Sequence, residues 1–362
     1  VIDGEIVRNN FERNGKLLEY FWELVDIYHL HGNRWPHIVP DIFGEIEPDD
    51  VKVYIKQDVY KALEKYARGY MNFLDAAKTE REAVVETIEM AKKNGFEEFV
   101  LGKEYKEGDK IYYNNRDKAV ILTVIGKKPL SEGIRIAAAH IDSPRLDLKQ
   151  NPLYEDNEIA LFKTHYYGGI KKYQWVAIPL SLHGVIVKAD GEIVNVNIGE
   201  DKGDPVFCVT DLLPHLATAQ MKRTPSELIK GEELNILVGS RPFRDDKASS
   251  KVKLNIMAIL NEKYGIVEKD FRTAELEFVP SFQVCDIGFD RSLVGGYGHD
   301  DRVCAYTSLM AEVEAEAPVY TTVSVYADKE EVGSDGVAGL HSDWMEHFIT
   351  YLAQMQDVNV LT

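Results

Sequence analysis

Strand and helix signals alternate at both ends of the readable chain, and between them, from about 149 to 282, strands dominate. An α/β layer needs helices interleaved with its strands, so a β-rich block in the middle reads as a second domain inserted into the first. The first part opens with Val59, Leu63, Tyr66, Ala67, Tyr70, Met71 and Leu74 at helical spacing. Thr79 and Glu82 then make a capping-box pattern for a helix that stops near Gly95. Residues 111–114 and 120–125 read as strands around the turn-rich 115–118. The run 134–139, apolar but for Arg135, reads as a strand covered on both faces. In the middle block the patterns predict strands at 175–178, 185–188, 193–197 and 206–209, with Asp190-Gly191 closing a hairpin. Helices are expected there at 212–221 and 252–264, and Leu276, Phe278 and Pro280 close the block. Beyond it the spacing predicts a helix over 300–313, a strand over 319–327 and a helix over 344–355.

Composition removes several classes of function. Lys and Arg number 42 against 60 Asp and Glu, and a net charge of −18 opposes binding to nucleic acid. No apolar run reaches the roughly eighteen residues of a membrane span. The first ten residues lack the apolar core of a signal peptide, and Val1 is not a start methionine, so the N-terminus is expected to have been trimmed or left out. Cys208, Cys285 and Cys304 are too scattered for a disulfide framework. They read as small buried hydrophobes in a reducing compartment, the cytoplasm. Residues 1–55 are broken by Pro36 and Pro40, with one helix expected from Phe21 to Tyr28. His29, His31 and His37 there are either a ligand cluster or histidines packed at the surface.

Three strings carry the chemistry: HIDSPRLDLK at 140–149, GYGHDDR at 296–302 and DKEEVGS at 328–334. Each lies at the carboxyl end of a strand or the start of a helix, where open sheets bind ligands. A histidine that binds metal through one ring nitrogen needs a partner on the other, and Asp142 is close enough to His140 to supply it. Asp300 and Asp301 either cap a helix dipole or hold cations. Glu330 and Glu331 end an apolar strand, where two buried acids would repel without a cation. Strand alternation would send one to the ion and the other to a water, as a base. Thr79, Ser143 and Ser334 have no G-x-S-x-G elbow around them, and GGYG at 295–298 is no phosphate loop.

In this order and spacing the strings resemble those of the aspartyl aminopeptidase (aminopeptidase I) family of zinc peptidases, over about residues 59–350. HIDSPRLDLK is similar to the family's H-T-D-S-P-x-L, DKEEVGS to its D-x-E-E-V-G-S, and GHDDR to its D-N segment. KTEREAV, YYGGI at 166–170 and LLPHLA at 212–217 agree as well. The resemblance implies an α/β fold: a mixed-sheet zinc-peptidase catalytic domain at 1–148 and 284–362, the first ~55 residues unassigned, with an inserted β-rich dimerisation domain at 149–283. It implies that His140 binds one metal and Asp142 orients it, that Asp300 bridges two metals, that Glu331 binds the second, and that Glu330 is the general base. Asp301 departs from the asparagine of many relatives, a change read as lying just outside the ligands. His215 is either the histidine that a neighbouring subunit places over the active site or an ordinary helix histidine.

The implied activity is metal-dependent removal of N-terminal amino acids, acidic ones included, from peptides, by a water activated between two divalent metal ions. Zinc is the expected metal, with cobalt or manganese as alternatives. The implied assembly is a homo-oligomer, dimers building a dodecameric shell. The other readings are a catalytically inactive shell-forming or binding protein of the same fold, and a related metal-dependent carboxypeptidase or deacylase. Two metals need about three ligands each. His140, Asp300 and Glu331 fall short of that, and His341, Asp343, His347 and Asp357 sit in no matching motif. The remaining ligands are therefore expected beyond Thr362, leaving a half-built, metal-free site in this stretch.

Overall fold

The computed structural model describes residues 57–244, 247–356 and 358. The expected helix from Phe21 to Tyr28, the histidines at 29, 31 and 37, and Asp357 lie outside them. The chain divides at Tyr70; of the part before it, the structure describes only the start of helix α1 (Gln57–Ala76). Everything below belongs to the part from Met71 onward.

Helix α2 (Glu80–Lys93) begins where the sequence places it. The Glu82 N–H donates to Thr79 Oγ1 at 3.2 Å and the Thr79 N–H donates to Glu82 Oε2 at 3.1 Å. It ends at Asn94, followed by Gly95 at φ +86°, a conformation that favours glycine.

A five-stranded mixed sheet follows from β1 (Glu97–Glu98), β2 (Lys110–Asn115), β3 (Ala119–Val124), β4 (Ile134–His140) and, from far along the chain, β14 (Thr321–Ala327). Its order is β1-β2-β3-β14-β4. Strand β14 runs antiparallel to β3 and parallel to β4. Both β3 and β14 are almost wholly buried, as their apolar runs require. On one face Ile121, Val323 and Val325 pack with Trp344, Phe348 and Leu352 of α5 (Trp344–Met355). On the other, Ser324 and Tyr326 meet Glu312 and Ser308 of α4 (His299–Glu314).

Strand β4 does not match its expected burial. Residues 135–138 are exposed, Ile136 by 49%. The reason is position: β4 is an edge strand that pairs only with β14 among the described residues. An apolar run reports what a strand can be covered by, and not whether it is covered.

The β-rich block forms a seven-stranded sheet in the order β8-β7-β11-β5-β6-β10-β9. Its strands are β5 (Arg145–Asp156), β6 (Ile159–Tyr167), β7 (Leu180–Val187), β8 (Ile193–Ile198), β9 (Cys208–Val209), β10 (Ile236–Gly239) and β11 (Ala274–Pro280). Neighbouring strands all pair antiparallel. Leu146, Phe162, Leu180, Ile236 and Phe278 centre its core, and α3 (Lys251–Tyr264) packs onto it through Val252. The Asp190-Gly191 turn joins β7 and β8, with Gly191 at φ +87°. A short hairpin, β12 (Cys285–Ile287) with β13 (Leu293–Gly295), leads on to α4.

Three local expectations fail here. Residues 175–178 make no strand; only Val176 bridges to Val209. Residues 212–221 form turns rather than a helix, because Pro214 lacks an N–H and Asp211 Oδ1 accepts instead from Leu212 N (2.8 Å) and Gln220 Nε2 (3.0 Å). Of the cysteines, all free, Cys208 is half-buried while Cys285 and Cys304 are exposed, so burial does not explain them.

Candidate active site

The parallel pairing of β4 and β14 delivers two of the three strings to one place. Ala327 stands opposite His140, and Ile141 N–H donates to the Ala327 carbonyl at 2.8 Å. Both strands therefore end together, and HIDS and DKEE leave the sheet side by side. The third string arrives at the start of α4. Asp300 and Asp301 there have non-helical dihedrals, and the peptide between them is cis.

Asp300 is held through its backbone. Ser143 Oγ donates to the Asp300 carbonyl (2.9 Å) and accepts from Arg302 Nη1 (2.6 Å). Arg302 is fully buried, and its Nη2 donates to the Lys78 carbonyl at 3.0 Å. Gly298 makes room for this guanidinium: a Cβ there would stand 2.2 Å from Nη1, and its φ is +85°.

His140 is the meeting point. Its Nε2 lies 3.1 Å from Asp300 Oδ1 and 3.7 Å from Glu330 Oε2. Its Nδ1 lies 3.0 Å from the Asp142 carbonyl and 3.3 Å from Asp142 Oδ1, so Nδ1 carries the proton and donates it. Burial alone would lower the His140 pKa; hydrogen bonding to Asp142, the charges of Asp142 and Glu330, and Asp300 outweigh it and push it up to about 9. The acids thus favour positive charge at Nε2, whether a proton or a metal ion supplies it.

Asp142 is the buried hub. It is 0% exposed and accepts from the Tyr167 hydroxyl (2.6 Å), Glu330 N–H (3.2 Å) and Glu331 N–H (3.2 Å). Burial would raise its pKa, but these donors and His140 hold it below the usual carboxylate value. Tyr167 is pushed far upward, by burial and then by the Asp142 charge, and so stays a donor.

The two glutamates separate for a different reason than strand alternation. β14 has already ended; Lys329 sits at φ +73°, and Glu330–Val332 is a single 3₁₀ turn. Glu330 reaches toward His140, while Glu331 reaches to the Gly169 N–H at 3.5 Å. Burial, and the charge of Asp142, raise the Glu331 pKa against the help of that N–H.

Beside these groups opens a cleft of about 370 Å³, lined by Ser143, Pro144, Gly169, Ile170, Trp175 and Tyr297 among others. Cys304, one turn into α4, is no nucleophile: hydrogen bonding to Asp301, then burial, push its thiol up to about 11. His215 is exposed in the 211–221 turns. His341 is not helical and pairs with Asp335 at 3.2 Å, and His347 lies on α5 near the Tyr351 ring.

One imidazole fixed by its far nitrogen and several carboxylates form the donor set of a zinc-type ion. The 3.1 Å from Nε2 to Asp300 Oδ1 is close to the ~3.3 Å edge expected between two zinc ligands. No three His, Cys, Asp or Glu among the described residues gather tightly enough to hold an ion by themselves. The residues present thus fit a metal in kind and supply part of a ligand set.

A set of buried charges beneath the site was not read from the sequence. Asp328, 0% exposed, has no hydrogen-bond partner on either carboxylate oxygen and faces Lys118 Nζ at 3.8 Å; burial, then the charge of Glu80, push it up to about 6. Lys118 also pairs with Glu80, which pairs with Arg145 at 3.0 Å. Arg145 in turn meets Asp147 (2.7 Å) and Glu277 (2.5 Å). KTEREAV and YYGGI, which contribute Glu80 and Tyr167, were the visible signal.

The model of the aminopeptidase I zinc metalloprotease family, M18, matches residues 73–359. A probable M18 family aminopeptidase 1 of Clostridium acetobutylicum is 55% identical over 300 residues, 81% of this chain and 64% of the relative. One from Borrelia garinii is 45% identical over 287 residues, 79% of this chain and 62% of the relative. The chain thus spans less than two thirds of the length of these relatives. The crystal structure of an M18 aminopeptidase from Thermotoga maritima superposes with a TM-score of 0.80 at 41% identity, covering 87% of this chain and 68% of that one. A yeast mApe1 dodecamer, at 18% identity and a TM-score of 0.64 over 81% of this chain and 67% of that one, shares the fold.

Proposed function

The chain belongs to the aminopeptidase I zinc metalloprotease family, and on that premise we propose that it takes part in metal-dependent removal of amino acids from peptide N-termini. The observation that carries this is the approach of two acids from different strings to His140 Nε2, Asp300 Oδ1 at 3.1 Å and Glu330 Oε2 at 3.7 Å, beside the shared end of β4 and β14. In this reading His140 and Asp300 hold one divalent ion, and Asp300 and Glu331 a second. Zinc is the first choice, cobalt or manganese the alternatives. A bound ion supplies Lewis-acid polarisation of the scissile carbonyl and a more acidic water. Glu330 takes the proton from the attacking water and returns it to the leaving amine, so no net proton is consumed. Asp142 keeps the His140 ring in one tautomer, and the cleft beside Asp300 receives the substrate.

We assign residues 1–148 and 284–362 to the catalytic domain, its first ~55 residues unassigned, and 149–283 to an inserted domain that pairs subunits. Dimers of that kind would build a dodecameric shell; yeast mApe1, which shares the fold, is a dodecamer. His215 would then act across a subunit boundary, which its exposure permits. No described helix is long and apolar enough to cross a membrane. Three free cysteines are consistent with the cytoplasm. Peptides beginning with Asp, Glu and Leu, assayed with chelator and after zinc is restored, test the proposal. Cleavage that vanishes with chelator and returns with zinc is expected. Chelator-insensitive cleavage would refute it; zinc-dependent cleavage of amino-blocked peptides would favour a deacylase or carboxypeptidase.

A further inference from the structure

The last residue of β6 and the two that follow it touch acids from two different strings. At the end of β6, the Tyr167 hydroxyl donates to Asp142 Oδ2 at 2.6 Å. Gly168, at φ +76°, lies against Glu331: a Cβ there would stand 2.7 Å from Glu331 Oε2 and 3.2 Å from Glu331 Cβ. The Gly169 N–H faces the same Oε2 at 3.5 Å. We propose that Tyr167, Gly168 and Gly169 are positioning residues, a clamp that sets where Asp142, and through it His140, stands relative to Glu331. The inference rests on the reading of His140 and Glu331 as metal ligands.

The clamp grips at Asp142. Its Oδ1 faces His140 Nδ1 and the Glu330 N–H, and its Oδ2 faces the Tyr167 hydroxyl and the Glu331 N–H. With two partners on each oxygen, the buried carboxylate cannot rotate without breaking bonds on both sides. Tyr167 supplies the shortest of these bonds and the only one from outside the site strings. The ring is itself fixed. Tyr167 stands opposite Arg145 in the β5–β6 ladder, the Arg145 guanidinium lies 3.9 Å from its ring centre, and Lys329 Nζ lies 5.2 Å away. Arg145 is in turn locked by Glu80 and Glu277, both nearly fully buried. The first sheet thus supplies the ligands and the second sheet fixes their separation.

The glycines complete the clamp. At Gly168 a side chain would displace the Glu331 carboxylate, and positive φ disfavours one anyway. The absence of a side chain therefore defines how closely Glu331 approaches β6. Outer partners of metal ligands typically matter by 10–100-fold in metal affinity or activity.

The test is cobalt(II) titration of the full chain, read by visible absorption, for wild type, Tyr167→Phe, Gly168→Ala and the control Tyr166→Phe, whose ring is 43% exposed. Urea unfolding of each variant runs alongside. Tyr167→Phe is expected to raise the cobalt Kd about 10-fold and to alter the absorption bands of bound cobalt, with an unfolding midpoint near that of the wild type. Gly168→Ala should act in the same direction, and Tyr166→Phe should change neither quantity. Equal cobalt affinity and spectrum in wild type and Tyr167→Phe overturns the clamp while leaving the metal reading intact. A loss in Tyr166→Phe as large as in Tyr167→Phe overturns it too. Absence of cobalt binding by the wild type overturns the metal reading, and the inference with it.

Discussion

Replacing Gly298 by alanine should be among the most damaging one-carbon additions near the site. Two costs combine. Gly298 has φ +85° and ψ 22°, a left-handed conformation that costs a non-glycine residue roughly 1 kcal/mol. The new methyl would also lie 2.2 Å from Arg302 Nη1 and 3.2 Å from its Cζ, so the guanidinium must move. Arg302 is 0% exposed, and its two hydrogen bonds go to Ser143 Oγ and the Lys78 carbonyl. Losing a bond from a charged donor costs about 1.5–3 kcal/mol. The total is about 2.5–4 kcal/mol. With a urea slope near the top of the usual range, about 3 kcal/mol per molar, the midpoint should fall by roughly 1 M. Because Ser143 also holds the Asp300 carbonyl, metal affinity should fall together with stability. Gly298→Asn separates the two costs, since asparagine tolerates left-handed backbone but carries the same Cβ. Both variants should be damaged if the collision dominates. A loss below about 1 kcal/mol in Gly298→Ala would refute the reasoning, because it would mean that Arg302 moves freely despite its burial and its bonds to Ser143 and the Lys78 carbonyl.

Two other outcomes are open to measurement. Glu330→Gln keeps the size of the side chain but removes the base, so kcat should fall by about 10²–10⁴-fold while cobalt binding persists; retained activity would remove Glu330 from the chemistry. His183 is buried between Glu82 (2.7 Å) and Glu200 (3.1 Å); burial would lower its pKa, but hydrogen bonds to Glu200 and Glu82 push it up to about 9. Because the folded value lies above the unfolded ~6.5, its stabilisation is complete below about pH 6.5 and disappears as pH rises through 9. The loss is at most about 3 kcal/mol, and urea midpoints from pH 6 to 10 should fall less steeply in His183→Gln. An identical pH dependence in the two proteins would exclude His183 as the cause.

What the sequence revealed depended on range. The capping box at Thr79, the Asp190-Gly191 hairpin and the helices over α3, α4 and α5 are written in neighbouring residues, and they appear as read. The three acidic strings were also legible, because their side chains make little sense at strand ends without a positive partner. Partners far away in sequence were not. Glu82 reads as half of a capping box, yet its other carboxylate oxygen holds His183, 101 residues on. Tyr167 stands out only as part of YYGGI, and nothing in that string points to Asp142, whose carboxylate accepts from its hydroxyl. The edge position of β4 is likewise invisible locally, since the same apolar run would suit either the middle or the rim of a sheet. The failed helix at 212–221 shows apolar spacing losing to a proline and to an aspartate that satisfies backbone N–H groups itself.

The in-step pairing of β4 with β14 has a consequence for how this chain can vary in length. From Thr321 opposite Ile134 to Ala327 opposite His140, the ladder runs without a bulge, so it works as a ruler with marks about 3.3 Å apart. One residue inserted in either strand would shift one string by a full mark and turn its side chains to the other face. The hairpin turn at Arg116 and Asp117 has no such duty, and extra residues there would leave both strings in place. Length changes should therefore be admitted at such turns and rejected between 134 and 142 or between 321 and 331, whatever the residues in between.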